Sequence, residues 1–419
     1  MPLALAKGRS ARFLFALPIA LLAMGSIDLS ADTNLDDTLS REERQKIDLS
    51  NYRVTDTNAS YFDVKARMAL LEQTDSTILL QLSDKLSMGP SCRQKTNSEP
   101  ITTWGAIPGF YPRRTAWELA TGPLFDFEDS VSNLAGSFVA SGAIYYAECL
   151  VHYLYRWAEA EALTDFVYDT AQPQAWFASE SMLFAAAMAY SIVRPFIDGL
   201  EEERADIEQW LQGLALQHSA VPGPPQDSCC NNHLYRRALY ATMIGVLVED
   251  NDLFRFGVSA IYSALHDMTE EGALPLEMSR GRRATHYQNY ALNYLITNMQ
   301  VIHRQGYDIF NLEYEDSNIH EGVDYLFQIL DDPAALGDYA PQEQYTGFLR
   351  DPQYFTWMEI YLSHFDHQRM ASLITRARPT YSRSAGGHVT LYFMDPDAQE
   401  HIYTDERRQE TEAFRGLSN

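Results

Sequence analysis

The stretch Arg283-Ala-Thr-His-Tyr-Gln-Asn-Tyr-Ala-Leu292 runs on to Arg304 with apolar and aromatic residues at helical spacing. At about 100° per residue, Arg283 and Tyr290 nearly eclipse each other, and Tyr287 and Tyr294 share their face. Seven residues rise about 10.5 Å, so the two backbones stand too far apart for both side chains to grip one atom. They can still touch one ligand unit, because arginine is long. An aromatic stripe by itself reads as core packing. An arginine on that stripe argues otherwise, since an apolar core rejects an unpaired guanidinium. Upstream stands Cys229-Cys230-Asn231-Asn232-His233, where the proline-rich loop Val221–Pro225 meets a helix. One of its two asparagines suits a helix cap.

Outward from these segments the chain is almost wholly helical in pattern. Residues 61–88, Ala135–Ala162, Glu180–Phe196, Glu201–Gln217, His233–Glu249, Asp252–Met268, Ile319–Leu330 and Pro352–His364 all carry the helical period. Only Gly386-Gly-His-Val-Thr-Leu-Tyr-Phe-Met394 suggests a strand. Successive helix pairs without an internal sequence repeat argue against a solenoid. The expected architecture is all-α: a ring of helical hairpins around a central cleft, over residues 61–395. Residues 88–123 are rich in Gly and Pro, with Trp104, Phe110, Tyr111, Trp117, Arg113 and Arg114 among them. They read as an irregular lid loop.

Residues 1–31 read as an export signal: Lys7, Arg9 and Arg12, then the apolar run Phe13–Met24, then small residues, with cleavage after Gly25 or Ala31. The apolar run is shorter than the ~20 residues a spanning helix needs. An uncleaved anchor is the alternative. Residues 32–60 read as a flexible lead-in and 396–419 as a polar tail. The mature chain is expected to be a periplasmic or secreted monomer that does not engage a membrane.

Four cysteines in an exported chain fit disulfides. Of three pairings, Cys92–Cys149 with a vicinal Cys229–Cys230 bridge is expected, the alternative being a reduced adjacent pair. No CxxC or His-x3-His spacing asks for a metal, and no cofactor is expected. The net charge of −25 lacks the basic footprint of a nucleic-acid binder. It also opposes an anionic ligand unless arginines reverse the field within a cleft. No lysine follows Lys95, so arginine would have to do so.

Several segments together resemble the alginate lyases of polysaccharide lyase family 5, within the helical-toroid superfamily. They are Asn231-Asn232-His233-Leu-Tyr235, Asp252-Leu-Phe254, Gly272-Ala-Leu-Pro-Leu-Glu277 and Arg283 to Leu292. Cys149 with Arg156-Trp157-Ala-Glu-Ala-Glu-Ala-Leu163, and Gly386 to Tyr392, are similar as well. The resemblance implies an (α/α) toroid and β-elimination on a 4-linked uronate polymer, mannuronate-rich alginate first, without a metal. It implies that Asn232 and His233 hydrogen-bond or neutralise the substrate carboxylate, that Arg283 adds charge stabilisation, and that Tyr290 acts as base, acid or both. Arg283 is expected to favour the Tyr290 phenolate. Tyr153, Trp157, Tyr235, Arg236, Arg113 and Arg114 are the candidate substrate contacts. Two departures put the polymer in question: Gln288 where the family often has His, and Arg236-Arg237 where an aromatic commonly follows Tyr235. Glucuronan is therefore an alternative substrate. A glycoside hydrolase using Glu271 and Glu277, or a silent polysaccharide-binding protein of an export system, are the competing readings.

Overall fold

The computed structural model describes residues 38–89, 91–95, 98–166, 173–220 and 229–398. Short α1 (Arg41–Arg44), α2 (Val64–Leu71), α3 (Thr77–Ser87) and α4 (Cys92–Lys95) precede the long α5 (Arg114–Ser141) and α6 (Ile144–Glu159). Next come α7 (Pro173–Val193), α8 (Glu201–Ser219), α9 (Asn232–Val248), α10 (Asn251–Asp267), the single-turn α11 (Pro275–Met278), α12 (Ala284–His303) and α13 (Ile319–Asp331). They are followed by α14 (Trp357–Leu362), α15 (Gln368–Ala377) and α16 (Val389–Phe393), and the described residues contain no β-strand.

Burial sorts these helices into two layers. Helices α7, α9 and α12 are buried on nearly every face, as interior helices must be. Helices α6, α10, α13 and α15 bury a single stripe and turn the rest to solvent. Contacts run from α5 to α7, α9, α12 and α14 in turn, and α16 and α3 carry the ring back to α5. Outside it, α6 packs on α5 and α8, α10 on α9, and α13 on α12. The result is an (α/α) toroid, each outer helix covering the apolar wall of the inner one. The Pro173–Phe196 stretch is long and apolar enough to cross a membrane, but 89% of its most apolar window is buried inside the ring.

Several local expectations give way to tertiary packing. The continuous helix Ala135–Ala162 is two helices, because Gly142 caps α5 in the left-handed conformation at φ 66°. The lid is shorter than 88–123: α4 lies inside it, and α5 begins at Arg114 and runs through Pro123. Pro123 sits on the exposed face of α5, while Leu124 and Phe127 behind it are fully buried. Pro123 has no N–H to give the Leu119 carbonyl, but Leu119 is exposed, so water can take that carbonyl, and burial of the opposite face holds the helix. The expected strand at 386–394 is instead a tight turn and α16. Gly386 and Gly387 have φ of +86° and +101°, and a Cβ at 386 would meet the Tyr61 hydroxyl at 2.3 Å. Such a short apolar run does not distinguish strand from helix by its pattern.

The lead-in is not loose from residue 38 onward. The Arg44 guanidinium pairs with buried Asp267, and the Leu39 amide donates to the same carboxylate. The Thr55 and Asp56 amides both donate to Gln305 Oε1, at 2.8 and 3.0 Å. Both expected disulfides are formed, Cys92–Cys149 and Cys229–Cys230. The export signal, the Val221–Pro225 loop and the tail beyond Ala398 lie outside the described residues.

Arg44→Ala strands Asp267 as an unpaired buried carboxylate. It is expected to lower stability by about 3–5 kcal/mol in urea unfolding at pH 7; a loss below about 1 kcal/mol would show that the lead-in is not anchored by this pair.

Candidate active site

The N-terminus of α9 is held from two sides. The Asn231 side chain caps the helix, accepting the His233 amide at 3.0 Å. Asn232 is bound to Glu277 of α11, with its amide donating at 2.6 Å and its carboxamide Nδ2 at 3.2 and 2.9 Å. Burial pushes the Glu277 carboxyl up to about 7, against the nearby Arg280 charge and the Asn232 bonds. The bonds from Asn232 hold its carboxamide in one orientation at the cleft. Glu277 itself is fully buried and Glu271 lies at the surface, so the acid pair of the hydrolase reading does not face the cleft.

His233 stacks on Phe177 with ring centres 3.9 Å apart and planes at 23°. Its Nδ1 stands 3.8 Å from Glu180 Oε2, a Coulomb contact rather than a hydrogen bond. Burial lowers the imidazole pKa although Glu180 works to raise it, so the ring is neutral near pH 7. It can offer a substrate carboxylate a hydrogen bond, not a charge. Glu180 is completely buried in α7 and also faces Arg236 Nε at 3.8 Å and Arg237 Nη1 at 3.4 Å. Burial works to raise the Glu180 pKa, but His233 and the two guanidiniums outweigh it and hold the carboxyl at about 2.

Arg236 lies over the Tyr294 ring at 5.7 Å and donates to the Phe177 carbonyl at 3.2 Å. Burial opposes its charge, yet the hydroxyls of Tyr294 and Tyr290, with Glu180 and Glu128, favour it more strongly. Arg283 is placed differently from the expectation. It belongs to a 3-10 turn, Gly281–Arg283, ahead of α12, and its guanidinium lies 4.0 Å above the Tyr111 ring. Arg236, from α9, lines the same cleft as Arg283 and Tyr290. Tyr290 packs edge-on to Tyr294, with ring centres 5.0 Å apart, and lines the cleft.

Asn232, His233, Arg283 and Tyr290 all line one cleft of about 540 Å³, with Arg236 and Arg114. Two more arginines, Arg280 and Arg383, complete a strongly cationic wall in an otherwise acidic chain. Arg114 stacks over Phe110 at 4.3 Å and donates to Glu118. Four expected contacts fall elsewhere. Tyr153 and Trp157 are fully buried against Phe127, and Tyr235 is buried on the far side of α9. Each belongs to the core because it faces the neighbouring helix rather than the ring centre. Arg113 precedes α5 and points to solvent. Gln288 bonds the Gly272 carbonyl at 2.9 Å and the Leu274 amide at 3.1 Å, so that departure from the family never reaches the cleft.

The sequence reading passed over His286, Tyr345, Tyr354, Arg383 and Glu128, all of which line the cleft. His286 stands within the Arg283–Leu292 stretch itself, between Arg283 and Tyr290. Burial, with Arg283 and Arg280, lowers its pKa to about 4. The Tyr354 carbonyl is held by Asn289 Nδ2 at 2.8 Å. Tyr111 reaches across from the lid to hydrogen-bond the Tyr287 hydroxyl.

A helical ring whose central cleft gathers arginines, phenols and an imidazole, with no opposed acid pair among the described residues, is that of a polysaccharide lyase of the toroid class. The comparisons agree. The sequence profile of the alginate lyase family matches residues 48–336, and the chain belongs to that family. It is 29% identical over 273 residues to a polysaccharide lyase of Stenotrophomonas maltophilia, covering 65% of this chain and 79% of that one. It is 25% identical over 271 residues to an alginate lyase of Pseudomonas aeruginosa, covering 64% and 73%. Its fold is similar to alginate lyase A1-III from Sphingomonas species A1, with TM-score 0.75, 29% identity, and coverage of 83% and 98%. A tyrosine-to-phenylalanine variant of A1-III complexed with tetrasaccharide superimposes with TM-score 0.76 at 28% identity, covering 83% and 98%.

Glu180→Gln would leave two guanidiniums facing a neutral amide, and is expected to cost about 3–5 kcal/mol at pH 7. The folded pKa lies below the unfolded one of about 4.3, so this contribution is present above pH 4.3 and fades as pH falls towards 2. Denaturant titration of both proteins at pH 7 and pH 2.5 checks this; an unchanged gap would contradict the charged state assigned here.

Proposed function

We propose that this lyase cleaves a 4-linked uronate polymer, mannuronate-rich alginate first, by metal-independent β-elimination outside the cytoplasm. The observation that carries the reading is the convergence of Asn232, His233, Arg236 and Tyr290 on one cationic cleft. The C5 proton of a uronate is a very weak acid while its carboxylate is charged. Hydrogen bonds from His233 and the Asn232 region, with guanidinium charge nearby, stabilise the enolate-like state in which that charge grows. Tyr290 as phenolate removes the C5 proton. The C–H electrons form the C4=C5 double bond, the C4–O4 bond breaks, and Tyr290 returns the proton to O4. Tyr290 is neutral while it holds the C5 proton and is a phenolate again once O4 has taken it, so the base is regenerated.

Two further points support the assignment. Alginate lyase A1-III has been obtained with a tetrasaccharide as a tyrosine-to-phenylalanine and as a histidine-to-alanine variant. Those residue types match Tyr290 and His233. Two disulfides agree with an oxidising compartment and hence with export. Guanidiniums supply the positive charge that a metal would otherwise provide. A different uronan, glucuronan, remains the second reading, because the Arg236 departure lies in the cleft.

Polymannuronate, polyguluronate, glucuronan and hyaluronan offered in parallel should give absorbance near 235 nm with at least one, since elimination leaves a conjugated double bond. A hydrolase or a silent binder gives none. Tyr290→Phe and His233→Ala should each lower kcat by a factor on the order of 10² or more; wild-type rates in both would remove the assignment. EDTA should leave the rate unchanged, and a loss restored by a divalent cation would contradict the metal-independent mechanism.

A further inference from the structure

Glu128 of α5 lies in the wall of the cleft and takes no part in the elimination. Its side chain has no solvent exposure, and neither carboxylate oxygen has a hydrogen-bond partner. An ionised carboxylate in such a place is strongly disfavoured unless a cation is committed to it. The available cation is committed elsewhere. Arg383 donates to both oxygens of the neighbouring Asp129, at 2.8 and 2.5 Å, and leaves its Nε 3.9 Å from Glu128 Oε2. Arg236 faces Glu128 from α9 but is engaged with Glu180. Ser181 faces it from α7 without a well-formed hydrogen bond, and Asp129 adds a like charge from its own helix. Burial raises the Glu128 pKa to about 8, opposed by Arg383, Ser181 and Arg236.

We propose that Glu128 sets the affinity of the cleft for its polyanion by acting through Arg383 and Arg236, and that polymer binding draws a proton onto it. The proposal rests on the uronate reading of the cleft. When Glu128 is protonated, the charge that Arg383 and Arg236 show the cleft is offset only by Asp129 and Glu180. When it ionises, it competes with the substrate carboxylate for the same two groups. A bound polyanion therefore favours the protonated acid, and by linkage affinity falls as pH rises through the value of the free protein.

The test is calorimetric titration of a mannuronate oligomer into the Tyr290→Phe protein at pH 6, 7.5 and 9, in two buffers of different ionisation enthalpy. Affinity should be similar at the two lower values and about tenfold weaker at pH 9, with net proton uptake at the highest value. Adding Glu128→Gln should abolish the uptake and flatten the profile. It should also raise the pH 9 affinity towards that at pH 6, which a purely structural role would not do. Binding without proton uptake, or uptake that survives Glu128→Gln, overturns the proposal and leaves the lyase reading standing. Absence of mannuronate-oligomer binding at every pH, together with no elimination from any of the four polymers, overturns the uronate reading and this proposal with it.

Discussion

Beneath the cleft a single carboxylate answers two guanidiniums. Glu180 is buried in α7, and Arg236 and Arg237 meet it from α9, so the charges are shared across the contact between two inner helices. A buried triad of this kind is not a strong source of net stability, because desolvation nearly cancels the attraction. What it does is placement. One arginine is tied inward, the other reaches the cleft with its charge intact, and the neutral imidazole of His233 is kept beside them. The site chemistry follows from that division. Tyr290, Asn232, His233 and Arg236 line one cleft, so a phenol, hydrogen-bond donors and a guanidinium face the same space.

The same logic appears on the scale of the whole chain. A net charge of −25 would repel a uronate polymer at long range. The cleft reverses that field with Arg114, Arg236, Arg280, Arg283 and Arg383. Each is restrained by a ring or a carboxylate: Arg280 over Tyr287 at 4.0 Å, Arg283 over Tyr111, Arg383 over Phe125 at 4.9 Å. A planar guanidinium can stack and still donate in its plane, which an ammonium cannot. The absence of lysine beyond Lys95 is consistent with this use of arginine.

Legibility in the sequence followed the range of the interaction. The helices and their ring could be read from periodicity, because burial on one or all faces writes itself into the order of residues. The two short segments around His233 and Tyr290 could be read because their chemistry lies within a few positions. Residues delivered by distant turns could not. Arg383 arrives from a turn near the end of the chain and Tyr354 from a 3-10 segment, and no local pattern marks either. Tyr153, Trp157 and Tyr235 show the opposite error. Their aromatic character suggested ligand contact, but an aromatic ring on an inner-facing stripe is equally suited to a neighbouring helix, and here that is where it goes. Arg283 lines the cleft as expected, but from a 3-10 turn ahead of the helix rather than from the helix itself.

The walls of this cleft run from Phe110, near the start of α5, to Ser384, close to the end of the described chain. Phe110 and Tyr111 enter from the lid, and Ser382, Arg383 and Ser384 are supplied by the turn before α16. A nascent polypeptide that has made every long helix still lacks one side of its binding groove. A ribosome must pass Ser384 before the groove has all its walls, so ligand recognition cannot precede synthesis of that turn.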